Sequence, residues 1–178
     1  MSAVCGFAAD VSNLAAIGFA RANGEFTIDG VWTRDNSTVF DGATIATKDA
    51  ALHVFLGNGA RLDLGLDSRG RVFGDHVVVE QGMVQVRDSS VFTVVAGDLR
   101  IYSAQQALVD VSKSGYMSFR AVRGAANVTT AAGLLVNSVA AGAMFIERRV
   151  TGCLQKVDIA EGTRSGHITC CATIPATM

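Results

Sequence analysis

The sequence predicts an all-β fold of many short strands, either β-solenoid-like or a two-layer twisted sandwich, with little or no helix. Alternating runs rich in Val, Ile, Thr and Phe recur along the chain, which is the pattern of half-buried strands. Each run is closed by Gly, Asn or Asp, and 19 glycines stand against a single proline. The chain has 178 residues, 49% of them apolar and 17% charged, enough for one domain with a real core and far from the composition of a disordered chain.

In chain order the runs are EFTIDG, STVFDG, ATIAT, ALHVFLGNG, ARLDLGLDSRG, RVFGDHVVVEQG, MVQVRDSS, VFTVVAGD and LRIYSA, from Glu25 to Ala104. Within them the period of two places Leu62, Leu64 and Leu66 on a core face and Arg61, Asp63 and Gly65 on a wet face. It also pairs Val84 with Val86, Phe92 with Val94 and Leu99 with Ile101. Asn58-Gly59 is the strongest hairpin signal, because a tight two-residue turn needs positive φ. Further turns are expected at Asp29-Gly30, Asp41-Gly42, Gln81-Gly82, Ala96-Gly97-Asp98, Ser114-Gly115, Arg123-Gly124, Ala132-Gly133 and Ala141-Gly142. The stretch SAQQALVDV is open to two readings, a turn of helix around Gln105 to Leu108 or another strand.

The predicted domain covers residues 21–149. Residues 1–20 form an apolar segment, read either as the remnant of a secretion signal or as a first strand, since Asp10 interrupts it and the first cation is Arg21. Residues 150–178 hold the lone Pro175 and three of the four cysteines, and are expected to be an irregular tail or the truncated start of a second module. The adjacent Cys170 and Cys171 suit neither an easy mutual disulfide nor zinc-knuckle spacing, which leaves exposed or oxidised thiols or a Cys153–Cys170 disulfide as readings of Cys153, Cys170 and Cys171. No run of about 18 residues is free of charged or polar groups, so no transmembrane segment is expected.

The segments VFDGATIAT, ALHVFLGNGARLDLGLDS, VVVEQGMVQV, FTVVAGDLRIYS and LLVNSVAAGAMFIE follow one another between about Gly24 and Arg149. This order resembles the FecR-like domain of bacterial envelope proteins. The resemblance implies a non-catalytic β module located in the periplasm or outside the cell. TGCLQK, at Thr151 to Lys156, is similar to the start of a small module that follows some stand-alone members. The best-known members carry a membrane helix and signal to a sigma factor. Without that helix the expectation here is a binding, scaffolding or signalling-associated role, with a protein partner or a second copy docking at sheet edges.

No nucleophile elbow, zinc-protease motif, P-loop or dinucleotide fingerprint is present, and neither an enzyme nor a cofactor is predicted. His53 is expected on a wet strand face and His76 in contact with Asp75, while His167 lies near the cysteines. Asp63, Asp67, Glu80 and Asp88 are the acids from which a glycosidase-like pair would have to be drawn. A carbohydrate- or wall-binding protein, the alternative reading, needs exposed aromatics. Its candidates are Trp32, Tyr102 and Tyr116, with Trp32 expected to pack into the core. Arginine clusters at Arg69/Arg71, Arg120/Arg123 and Arg148/Arg149 would serve an anionic wall polymer or simply form surface ion pairs. A net charge of −1 argues against nucleic acid.

Overall fold

The computed structural model describes residues 15–87, 92–102, 105–150, 153–159 and 168–171, with side chains described as far as residue 147. Among these residues there is no helix, and the fold is all-β as the alternation requires. The strands are β1 (Ala16–Ile28), β2 (Val31–Phe40), β3 (Ala43–Thr47), β4 (Leu52–Leu56), β5 (Arg61–Leu64), β6 (Arg69–Val72), β7 (His76–Arg87) and β8 (Thr93–Ala96). They continue with β9 (Leu99–Tyr102), β10 (Gln106–Val111), β11 (Tyr116–Arg123), β12 (Ala126–Thr130), β13 (Leu135–Val139), β14 (Met144–Val150), β15 (Cys153–Ile159) and β16 (Ile168–Cys171). SAQQALVDV therefore resolves to strand, in β10.

The long strands β1 and β7 organise the fold, because each belongs to two layers. The first half of β1 pairs with β4 and its second half with β3. Likewise β7 pairs with β6 through its first half and with β5 through its second. Since β4 pairs with β5 and β3 with β6, strands β1, β4, β5, β7, β6 and β3 close into a ring. Beyond β7 the two layers continue. A front layer adds β10, β11, β14, β15 and β16, and a back layer adds β8, β9, β12 and β13. All pairings are antiparallel except β7 with β8. β2 flanks β1 along both halves, interrupted where Asp35 takes a φ of 62°.

One contiguous apolar core fills the space between the layers. Leu52, Val54, Leu62, Leu64, Val84, Val109 and Phe119 face inward from the front, and Ile45, Val72, Val77, Val94, Ile101 and Val128 from the back. Each such side chain contributes about 1.5–3 kcal/mol by leaving water.

Gly82 does not lie in a turn between strands as Gln81-Gly82 suggested. It sits inside β7, at the point where the strand passes from back layer to front layer, with φ +80°. A Cβ there would lie 2.6 Å from Ser68 Cα and 2.8 Å from the Asp67 carbonyl oxygen, so only glycine serves both the conformation and the close approach. Ser68, buried, fastens the bend: its hydroxyl accepts from the Met83 N–H at 3.0 Å, and its own N–H donates to Thr47 Oγ1 at 3.0 Å. Gly124, with φ +77°, marks the matching passage between β11 and β12.

Other expectations need correction. Leu66 is 60% exposed, because β5 ends at Leu64 and the chain turns through Asp67, whose φ is 49°; the alternation stops there. Trp32 is 63% exposed, because it pairs with Thr27 on the outward face of β1, while Thr33 lies opposite the buried Phe26. Of the two readings of residues 1–20, the described part, from residue 15, carries the start of a first strand, since β1 opens at Ala16. Past residue 150 the backbone is not irregular throughout: β15 pairs with β14, and β16 with β15. Residues 1–14 and the side chains of Arg148, Arg149, Cys153, Cys170 and Cys171 lie outside the described set, as does His167.

Candidate functional site

Residues directly opposite on neighbouring strands share a face, so the registers give the composition of each outer surface. One row across the front runs Thr38, Phe19, Phe55, Arg61, Arg87, Gln106 and Arg123. The next row runs Asn36, Arg21, His53, Asp63, Gln85, Leu108, Arg120 and Met144. A third holds Met83, Asp110, Ser118 and Ile146. Among the described residues this face therefore carries Arg21, Arg61, Arg87, Arg120 and Arg123 against Asp63 and Asp110, an excess of three positive charges in a chain whose total is −1.

The face is braced internally. His53 Nδ1 lies 2.6 Å from Asp63 Oδ1, and Arg87 Nη2 is 2.6 Å from Asp63 Oδ2. The latter contact is an ion pair without hydrogen-bond alignment, since that shielded oxygen has no hydrogen-bond partner. Phe19 and Phe55 stack with centroids 4.9 Å apart, and the Arg61 guanidinium sits 5.8 Å from the Phe55 centroid. Arg61 and Arg87 stand directly opposite each other, and Arg87 is held by Asp63.

At the β1 end lies a hollow of about 420 Å³, lined by Arg21, Ala22, Asn23, Asp49, Ala50, Ala51, His53 and Phe55. It opens where the β1 register slips between Arg21 and Glu25. Gly24 lets the facing loop come close, since a Cβ there would be 2.6 Å from Ala50 Cβ.

The back surface is different. Arg69 Nε lies 2.9 Å from Glu80 Oε2 and Arg71 Nε 3.3 Å from Glu80 Oε1, so the Arg69/Arg71 cluster is held by one carboxylate. Trp32 stands at the β2 end of this side, in line with Thr27, Ala46 and Arg69. Tyr102 lies in β9 opposite Asn127, and Tyr116 opens β11 in the front layer. The three aromatics are thus not brought together. Of the arginine pairs, Arg120/Arg123 joins the front face and Arg69/Arg71 does not. Asp63 and Glu80 lie on opposite surfaces and Asp67 in a turn, so these acids form no close pair; Asp88 is outside the described residues.

His53 is exposed, as expected for a wet strand face, and His76 does meet Asp75, at 2.6 Å, while stacking on Phe73 at 4.2 Å. Its hydrogen bond holds the Asp75 carboxyl below the ordinary carboxylate range. Sequence reasoning missed Arg21, Arg61, Arg87, Phe19 and Phe55 as parts of one surface. The available signal was the alternation around the inward Ala20 and Ala22, which turns Phe19 and Arg21 outward.

Compared with known proteins, the chain matches no family model, no curated protein and no solved structure.

Proposed function

We propose that the chain is a non-catalytic binding module of the cell envelope, FecR-like in the order of its segments, whose working surface is the front face and whose ligand is an extended acidic polysaccharide. The observation that carries this reading is the concentration of arginine: five arginines from four strands stand on one sheet face, in a chain whose total charge is slightly negative. Strands lie about 4.8 Å apart, so the basic groups from β1 to β11 extend over roughly 25 Å at intervals of one or two strands. That spacing suits a polymer with about one charge per sugar better than a nucleic acid, whose duplex carries a charge every ~1.7 Å. Gln85 and Gln106 lie between the arginines, with Asn36 and Thr38 at the β2 end of the rows, and these side chains supply donors and acceptors for hydroxyl groups.

Edge docking has less support. The free side of β2 is interrupted at Asp35 and carries Arg34 and Asp35, and Arg34 is tied to Glu25, features that blunt an edge against strand addition.

Affinity electrophoresis tests the reading. Polygalacturonate cast in the gel should retard the protein in a salt-sensitive way, whereas neutral dextran should not. Retardation by duplex DNA equal to that by polygalacturonate would reassign the face to nucleic acid, and no retardation by any polyanion would remove the proposal.

A further inference from the structure

We infer that the hollow beside His53 is a subsite for a single acidic sugar, a uronate residue, with Arg21 holding its carboxylate. This rests on the acidic-polysaccharide reading of the front face and deepens it.

The hollow, at about 420 Å³, falls in the range of small-molecule sites. Its polar lining is mixed in a way that one ligand class satisfies. Arg21 offers a planar pair of donors that matches a carboxylate, and it forms no ion pair among the described residues, not even with Asp49 in the same hollow. Asp49 is acceptor-only when ionised and suits a sugar hydroxyl, while Asn23 both donates and accepts. A phosphate or sulfate dianion would bring up to two negative charges next to Asp49, whereas a uronate brings one carboxylate for Arg21 and several hydroxyls for the rest.

His53 has its role set from below. The 2.6 Å contact with the Asp63 carboxylate engages His53 Nδ1 and leaves Nε2 directed at a further hydroxyl. Asp63 is itself held by Arg87, which makes it a positioning residue and not a ligand contact. Phe55 supplies an apolar wall, kept in place by Phe19 from β1 and by Arg61 from β5.

Isothermal titration of the full chain with a galacturonate tetrasaccharide, the corresponding neutral galactose tetrasaccharide and inorganic phosphate tests the subsite. The uronate oligomer should bind at least about tenfold more tightly than the neutral one, and phosphate more weakly than either. Arg21→Gln should abolish the preference for the uronate oligomer over the neutral one. Asp63→Asn should weaken both oligomers, and Arg69→Gln/Arg71→Gln, on the back surface, should leave both unchanged. Equal affinity for the two oligomers, an Arg21→Gln protein that keeps the uronate preference, or phosphate as the tightest ligand would each overturn the subsite. If the tetrasaccharide fails but long polygalacturonate still binds, the subsite falls and the reading of the face stands; if neither binds, both fall. A melting curve for each variant separates lost binding from lost folding.

Discussion

The two outer faces of this β fold both carry arginines, and they differ in how those arginines are gathered and paired. On the back, Arg69 and Arg71 lie two apart in one strand and converge on Glu80 of the next, so a cluster visible in the sequence shares one carboxylate. On the front, Arg21, Arg61, Arg87, Arg120 and Arg123 come from four strands, and Asp63 is held in an ion pair with Arg87. Proximity along the chain is thus a poor guide to charge density in a sheet. What counts is which strands are neighbours and in what register.

The harshest way to break this contrast is to damage the bend that makes two faces out of one strand. Gly82→Val forces a branched side chain into positive φ and onto Ser68; it should lower unfolding stability by about 3 kcal/mol or more, read by urea denaturation. Ser68→Ala removes the buried hydroxyl that receives the Met83 N–H and should cost about 1–3 kcal/mol in the same assay. The triple change Arg21→Gln/Arg120→Gln/Arg123→Gln should reduce affinity for long polygalacturonate by about tenfold or more, while Arg69→Gln/Arg71→Gln should stay within about twofold of the parent. An equal loss in both variants would end the distinction between the faces. Glu80→Gln sharpens it from the other side. It should cost less than about 1 kcal/mol of stability and yet give the back surface a new, salt-sensitive retention on the acidic polymer.

The smallest effect concerns Asp75, which is exposed. Its carboxyl titrates lower in the folded chain than in the unfolded one, so its contribution is fully present above the ordinary carboxylate range and is lost as pH falls through the lower folded value. Asp75→Asn should therefore slightly lower the melting temperature at neutral pH and leave it unchanged at the acid end of a pH series.

Much of the fold was legible because strand alternation is local. Leu62 and Leu64, Val84 and Val86, and Leu99 and Ile101 are buried where the period of two puts them, and Asn58-Gly59 makes its hairpin, closed by the Leu56 N–H to Ala60 carbonyl bond of 2.9 Å. The errors came where a local rule met a long-range event. Leu66 left the pattern because the chain turns at Asp67, and Gly82 looked like a turn because a mid-strand passage between layers uses the same positive φ as a hairpin. Trp32 was misplaced because burial on an outermost strand depends on which neighbour covers it. Of the candidate site, Arg120 and Arg123 were named from the sequence; Arg21, Arg61, Arg87, Phe19 and Phe55 were not, since nothing local links them.

The sequence by itself determined that this is a β protein, which side of most strands faces in, and where most of the chain reversals fall. Those properties follow from the two-residue repeat of an extended backbone and from the φ preferences of Gly, Asn and Asp, all of which act over a few residues. Only the tertiary structure decided that Arg21 stands beside His53, Arg61 beside Arg87 and Gln106 beside Arg123. Each pairing joins segments many residues apart, and its register is set by how the two layers close on a common core, so the surface that would meet a ligand is a product of packing and not of any stretch of sequence.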